Sequence, residues 1–245
     1  LRADFFGSFH KNVLKESMPF LNYLMNSNHA KFFTSIAQTP TVTMPRIKAL
    51  LAGIKPHYID LLMNLNTARF TEDNLLNQAH RKSKRLVFYG DDTWLYMFSS
   101  DLFLRYNVTY SFFATDYIQV DTNVTDNLLL ELKKLDEWDY LFLHYLGVDH
   151  IGHTFGPQSS LMPKKLKEMD SIIKLIFKEL SKNDDRYLIV ITGDHGMTDQ
   201  GNHGGSTSQE FETGLIFIDT KMNDYDTRLA KPEKTSIKQI DIAVT

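Results

Sequence analysis

The sequence predicts an α/β fold with a mostly parallel central sheet flanked by helices. Three observations carry this expectation. Short apolar runs of strand length alternate with segments of helical period. One long segment, Leu161–Leu180, has a single apolar face of 3.6-residue period. Unusual polar residues follow two of the apolar runs directly, where open α/β sheets gather functional groups.

Taken in chain order, the first clear helix starts near Pro40-Thr41-Val42-Thr43-Met44-Pro45-Arg46. Pro45 suits a first turn, Arg46 to Leu51 continue it, and Gly53 stops it. Thr71-Glu72-Asp73 starts the next helix, which runs to Arg81-Lys82, where positive charge suits a C-terminal end. Arg85–Gly90 reads as a buried strand, Thr122–Leu135 as a helix and Tyr140–Leu146 as a strand. In Leu161–Leu180 the apolar face comprises Leu166, Met169, Ile172, Ile173, Ile176 and Leu180, with Met169 as core filler. Tyr187–Thr192 and Gly214–Ile218 complete the strands. No repeat, low-complexity tract or linker interrupts the chain, so residues 1–245 are expected to form one domain.

Composition narrows the function classes. Hydrophobic residues make up 42 % of the 245 and aromatics 12 %, enough for a core and too much for a disordered chain. The net charge is −3 with both signs interspersed and no polybasic run, which argues against a nucleic-acid partner. There is no cysteine, so a metal must be held by His, Asp, Glu or a hydroxyl. The sequons Asn107-Val108-Thr109 and Asn123-Val124-Thr125 point to a luminal address. No apolar run approaches the roughly 20 residues of a membrane span. The sequence reads as an excerpt of a longer protein.

The strand ending at Leu146 leads into Gly147-Val148-Asp149-His150-Ile151-Gly152-His153. The strand ending at Thr192 leads into Gly193-Asp194-His195-Gly196, and then Asn202-His203-Gly204-Gly205. Asp149, His153, Asp194, His195 and His203 are therefore expected on loops along one edge of the sheet. Each alone is an ordinary turn or solvated residue; five oxygen and nitrogen donors together suit zinc. His150, beside Asp149, is expected to point away, and His144 to contact the core or support a ligand. His10, His29, His57 and His80 are expected in solvent. Thr43 falls at a helix N-terminus, where free amides favour a phosphate, and read alone it is an ordinary N-cap. A nearby metal ion is what turns a threonine hydroxyl into a nucleophile. Arg46 and Asp92 read as a helix-surface charge and a turn carboxylate.

At this point the motifs match a family. Thr43 with its flanking Pro40–Arg46, Tyr145–His153 and Gly193-Asp194-His195-Gly196-Met197 resemble GPI ethanolamine phosphate transferases of the alkaline-phosphatase superfamily, especially the transferase 2 group. Phe88-Tyr89-Gly90-Asp91-Asp92-Thr93-Trp94 and Ser111-Phe112-Phe113 look like the same group. The resemblance implies two zinc ions, one held by Asp149, His153 and His203, the other by Thr43, Asp194 and His195. It implies a catalytic domain facing the endoplasmic reticulum lumen, joined to the membrane by segments outside this chain, with a membrane partner subunit. The implied reaction moves phosphoethanolamine from phosphatidylethanolamine to a mannose of the GPI anchor precursor, the second in this group, through a phospho-threonine intermediate. The family has a further aspartate ligand two residues before Leu1-Arg2, absent from the sequence given. Two other readings stay open: a zinc-dependent phosphodiesterase or nucleotide pyrophosphatase, and a non-catalytic domain of the same fold.

Overall fold

The computed structural model describes residues 2–3, 16–55, 70–221 and 236–244. Its helices are α1 (Pro19–Asn26), α2 (Thr43–Ala52), α3 (Leu75–Arg81), α4 (Thr93–Met97), α5 (Gln119–Glu131), α6 (Gly147–Phe155), α7 (Met162–Ser181) and α8 (Ser208–Phe211). Its strands are β1 (Ala30–Ile36), β2 (Leu86–Asp91), β3 (Arg105–Thr109), β4 (Tyr140–His144), β5 (Leu188–Thr192), β6 (Glu212–Asp219) and β7 (Ser236–Lys238).

All of β2 is buried. Successive strand side chains point to opposite faces, so both faces of β2 need cover. Leu86 and Phe88 pack with Ile47 of α2, Leu76 of α3 and Trp94 of α4. Val87 and Tyr89 pack with Val124 and Leu128 of α5 and Ile172 of α7. This strand is the centre of a parallel sheet in the order β3-β2-β4. The second sheet, β5-β6-β1-β7, is mixed: β6 runs antiparallel to β1 and β5, while β7 is parallel to β1. The expected α/β class therefore holds, with parallel order in the three-stranded sheet. Leu21 and Leu24 of α1, Ile151 of α6, and Leu166 and Ile173 of α7 pack with Ile216 and Ile218 of β6. Met169 lies against two of these apolar clusters, as core filler.

Several boundaries move for local reasons. Helix α3 begins at Leu75 rather than at Thr71, because the Asn74 side chain caps it by accepting the Asn77 N–H at 3.0 Å. Helix α5 begins at Gln119, where Asp116 Oδ1 accepts the N–H groups of Ile118 and Gln119 at 3.1 and 2.7 Å. Strand β6 extends beyond the expected run because its pairing with β1 spans the whole of that strand. The segment expected as a loop after β4 is helix α6. His29 is not in solvent: its ring sits edge-on against Phe177, with centroids 5.7 Å apart. His80 is exposed, as expected, and His10 and His57 lie outside the described residues. Among the described residues no helix is long and apolar enough to cross a membrane.

Candidate active site

Asp149 and His153 are four residues apart on α6, so they share one face of the helix. His153 Nε2 is 3.3 Å from Asp149 Oδ2. The start of α6 is fixed by Asp121, whose Oδ1 accepts the Leu146 and Gly147 N–H groups, each at 2.9 Å. His150, one residue from Asp149, points away as expected. It is buried, and its ring nitrogens face the carbonyls of Asp116 and Ser111 at 2.6 and 3.1 Å. It thereby holds the loop after β3, on which Tyr110, Phe112 and Phe113 are exposed.

The loop after β5 is tied to β6 and α8 through Gly193 N–H to Gly214 O at 3.0 Å and Gly196 N–H to Glu210 O at 2.7 Å. It presents Asp194 and His195, with His195 Nε2 3.3 Å from Asp194 Oδ2. His195 donates Nδ1–H to Gly196 O at 2.9 Å, so in the neutral ring Nε2 carries the lone pair. That nitrogen is 3.3 Å from Thr43 Oγ1. Thr43 is the first residue of α2, and the cap position belongs to Val42. The threonine is therefore not an N-cap, and its hydroxyl faces the histidine.

His203 joins the two groups. It donates Nδ1–H to Thr41 O at 2.8 Å, so its Nε2 lone pair faces His153 Nε2 at 3.0 Å and Asp149 Oδ1 at 4.0 Å. Its ring stacks on His195 with centroids 3.9 Å apart. The Thr41 hydroxyl donates to Gly205 O at 2.8 Å and accepts the Gly204 N–H at 2.9 Å, which fixes the His203 loop. A close approach brings this loop to α6: at Gly201, whose φ is +81°, a Cβ would lie 2.4 Å from Gly152 O.

Electrostatics follow from this crowding. Burial pushes Asp149 up, but the His153 hydrogen bond and the nearby His195 and His203 outweigh it and hold the carboxyl well below its usual range. Asp194 is likewise held down, against burial, by His195 and His144. His153 is raised, chiefly by its hydrogen bond to Asp149. His203 is lowered, by burial first and then by His195. His144 supports the site from β4, its Nδ1 accepting the Trp94 indole N–H at 3.0 Å.

The donor set fits a divalent cation. Two carboxylates are ionised, and two imidazoles spend Nδ1–H on backbone carbonyls and aim Nε2 inward. Tetrahedral zinc with bonds near 2.0–2.1 Å separates its ligand atoms by about 3.3 Å. Asp149, His195 and His203 each place one donor atom within 4.8 Å of the other two, and His153 Nε2 adjoins them at 3.0 Å from His203 Nε2 and 3.3 Å from Asp149 Oδ2.

Some supporting residues carry no signal in the sequence. Asp121, Thr41 and Gln239 act only through contacts distant in the chain. Arg46 is not a helix-surface charge: it is wholly buried and donates Nη1–H to Gln239 Oε1 at 3.1 Å. Asp92 is a buried carboxylate that accepts the Ser111 hydroxyl at 2.9 Å.

The model of the type I phosphodiesterase / nucleotide pyrophosphatase family matches residues 6–221, a span that includes Thr43, Asp149, His153, Asp194, His195 and His203. The chain belongs to this family. It is 44 % identical over 250 aligned positions to human GPI ethanolamine phosphate transferase 2, catalytic subunit, covering 100 % of this chain. The chain spans only 25 % of that relative's length. The expected resemblance to the transferase 2 group is therefore upheld. Two solved structures share the fold. The C-terminal periplasmic domain of EcEptC from Escherichia coli, in complex with Zn, superposes with a TM-score of 0.62 at 13 % identity, over 99 % of this chain and 76 % of that one. An alkaline phosphatase superfamily protein from Vibrio parahaemolyticus gives 0.59 at 13 % identity, over 93 % of this chain and 59 % of that one. The fold is alkaline-phosphatase-like.

Proposed function

We propose that residues 1–245 are the catalytic domain of a longer membrane protein, one that transfers phosphoethanolamine from phosphatidylethanolamine to a mannose of the GPI anchor precursor. The observation that carries this reading is the 3.3 Å approach of Thr43 Oγ1 to His195 Nε2, beside a cluster of inward-facing donors. The name of the human relative supplies the substrate class, and its description as a catalytic subunit supports a partner subunit. The reading places the domain on the luminal side of the endoplasmic reticulum membrane. The exposed rings of Tyr110, Phe112 and Phe113 near α6 support a lipid donor.

In this reading Asp149, His153 and His203 hold one zinc ion, and Thr43, Asp194 and His195 hold a second. When bound, the pair lowers the pKa of a hydroxyl and stabilises charge on entering and leaving oxygens. The start of α2 offers its free amide groups and positive dipole end to the phosphate. Deprotonated Thr43 Oγ1 forms a bond to phosphorus as the bond to the diacylglycerol oxygen breaks. That oxygen leaves with the electron pair and takes up a proton, and phosphoethanolamine remains on Thr43. The mannose hydroxyl then loses its proton and bonds to the same phosphorus. The Thr43 Oγ1–P bond breaks, and Thr43 regains its hydroxyl.

Thr43→Ala in the full-length protein is expected to lower transfer by at least roughly 1,000-fold, measured with labelled phosphatidylethanolamine and a mannoside acceptor. Full activity in that variant would remove the reading. The description of the matching family favours a second one, phosphodiester hydrolysis with water as acceptor. Release of free phosphoethanolamine at an unchanged rate without the mannoside would select it.

A further inference from the structure

Gln239 opens a 3-10 segment directly after β7 and is fully buried. It lies beyond residue 221, where the family match ends. Its side-chain oxygen and nitrogen both have partners. Oε1 accepts Arg46 Nη1–H at 3.1 Å, and Nε2 donates to Asp194 O at 2.6 Å and Gly193 O at 3.3 Å. A guanidinium only donates and a carbonyl only accepts, so one amide orientation alone satisfies all three partners.

The two ends of this side chain grip different halves of the site. Arg46 sits one turn after Thr43 on α2, and burial lowers its pKa to about 10 against the pull of Asp194, so it stays charged at neutral pH. Its Nε and Nη2 have no hydrogen-bond partner among the described residues, which leaves Gln239 as the acceptor that fixes this guanidinium. Gly193 and Asp194 belong to the loop that carries Asp194 and His195, and that loop's own backbone ties run to β6 and α8. Gln239 adds the tie to α2, which packs along the 3-10 segment.

We propose that Gln239 is a positioning residue that holds the Asp194–His195 pair at working distance from the Thr43 hydroxyl. The proposal rests on the reading above, in which these three groups hold one of two zinc ions and carry the reaction. Two variants of the full-length protein test it. Gln239→Leu removes every polar contact. Gln239→Glu keeps the volume and an Arg46 partner but turns an acceptor toward the Gly193 and Asp194 carbonyls.

Zinc per chain, melting temperature and transfer kinetics are measured on wild type and both variants. The wild type is expected to hold two zinc ions. Each variant is expected to hold one, since the hydrogen bonds of Gln239 among the described residues run to Arg46, Gly193 and Asp194 and not to Asp149, His153 or His203. Transfer is expected to fall in kcat by about 1,000-fold, as for Thr43→Ala, because the ion lost is the one beside the nucleophile. Two zinc ions and wild-type kcat in both variants would overturn the role of Gln239 and leave the site reading intact. Loss of both ions with a lower melting temperature in both variants would overturn it in favour of a general structural role. A wild type without zinc would overturn the site reading, and this proposal with it.

Discussion

At the end of β4, Asp149 and His153 sit one turn apart on α6, and a single buried carboxylate, Asp121, receives the amides that start that helix. At the end of β5, Asp194 and His195 meet Thr43 and His203 through several contacts: Thr41 to Gly204, Gly205 and His203, and Gln239 to Gly193 and Asp194. One end takes its two ligands from a single helix whose first turn rests on one carboxylate; the other is assembled from segments distant in the chain. A local arrangement is set mainly by helix periodicity, and so its weak point is whatever fixes the helix to the sheet. A distributed arrangement shares its load, so no single contact should be decisive for folding, although each tunes the geometry.

The largest expected effect sits at the local end. Asp121 also pairs with buried Lys165 at 3.1 Å. Asp121→Ala leaves that cation short of a partner and two amides without an acceptor, and is expected to cost about 3 kcal/mol in chemical denaturation. An Asp121→Ala protein as stable as wild type would break the comparison at its first limb. A smaller effect is expected at the assembled end. Thr41→Val removes the hydroxyl that brackets Gly204 and Gly205 but keeps the carbonyl that orients His203. The expected cost is about 1–2 kcal/mol, with weaker zinc retention against a chelator. A cost equal to that of Asp121→Ala would show that the load at this end is not shared.

The smallest effect sharpens the contrast between two carboxylates of the β4 end. Burial raises Asp121 above its ordinary range despite Lys165, whereas histidines hold Asp149 below its range. A depressed carboxyl stabilises the fold fully above its unfolded pKa of 3.8 and loses that contribution as pH falls toward the folded value. In metal-free protein, Asp149→Asn is therefore expected to flatten the acid limb of melting temperature below about pH 4. An acid limb as steep as that of wild type would show that Asp149 does not interact with its histidines in the way the geometry indicates.

Legibility in the sequence followed the same division. Asp149 and His153 were readable from spacing, although their segment read as a loop: Gly147 and Gly152 lower helix propensity, and contacts to Asp121 and Met197 secure the helix instead. Thr43, Asp194, His195 and His203 were readable as residue types placed after strands or before a helix. Their partners were not. Arg46 looks like a surface charge because a short helix sequence does not reveal which side a later segment will cover. Gln239 looks like nothing at all.

The amino-acid order by itself determined the alternation of strands and helices, the burial of β2 and α7, and the list of chemically capable side chains, because periodicity and turn chemistry act over a few residues. Only the tertiary structure decided which way the His195 and His203 rings turn, that the Thr43 hydroxyl meets His195, and that Arg46 and Gln239 stand behind them. These depend on backbone carbonyls and side chains more than a hundred positions away in the cases of Thr41–His203 and Arg46–Gln239. Chain closure over such distances is governed by how the whole core packs, and no local pattern encodes it.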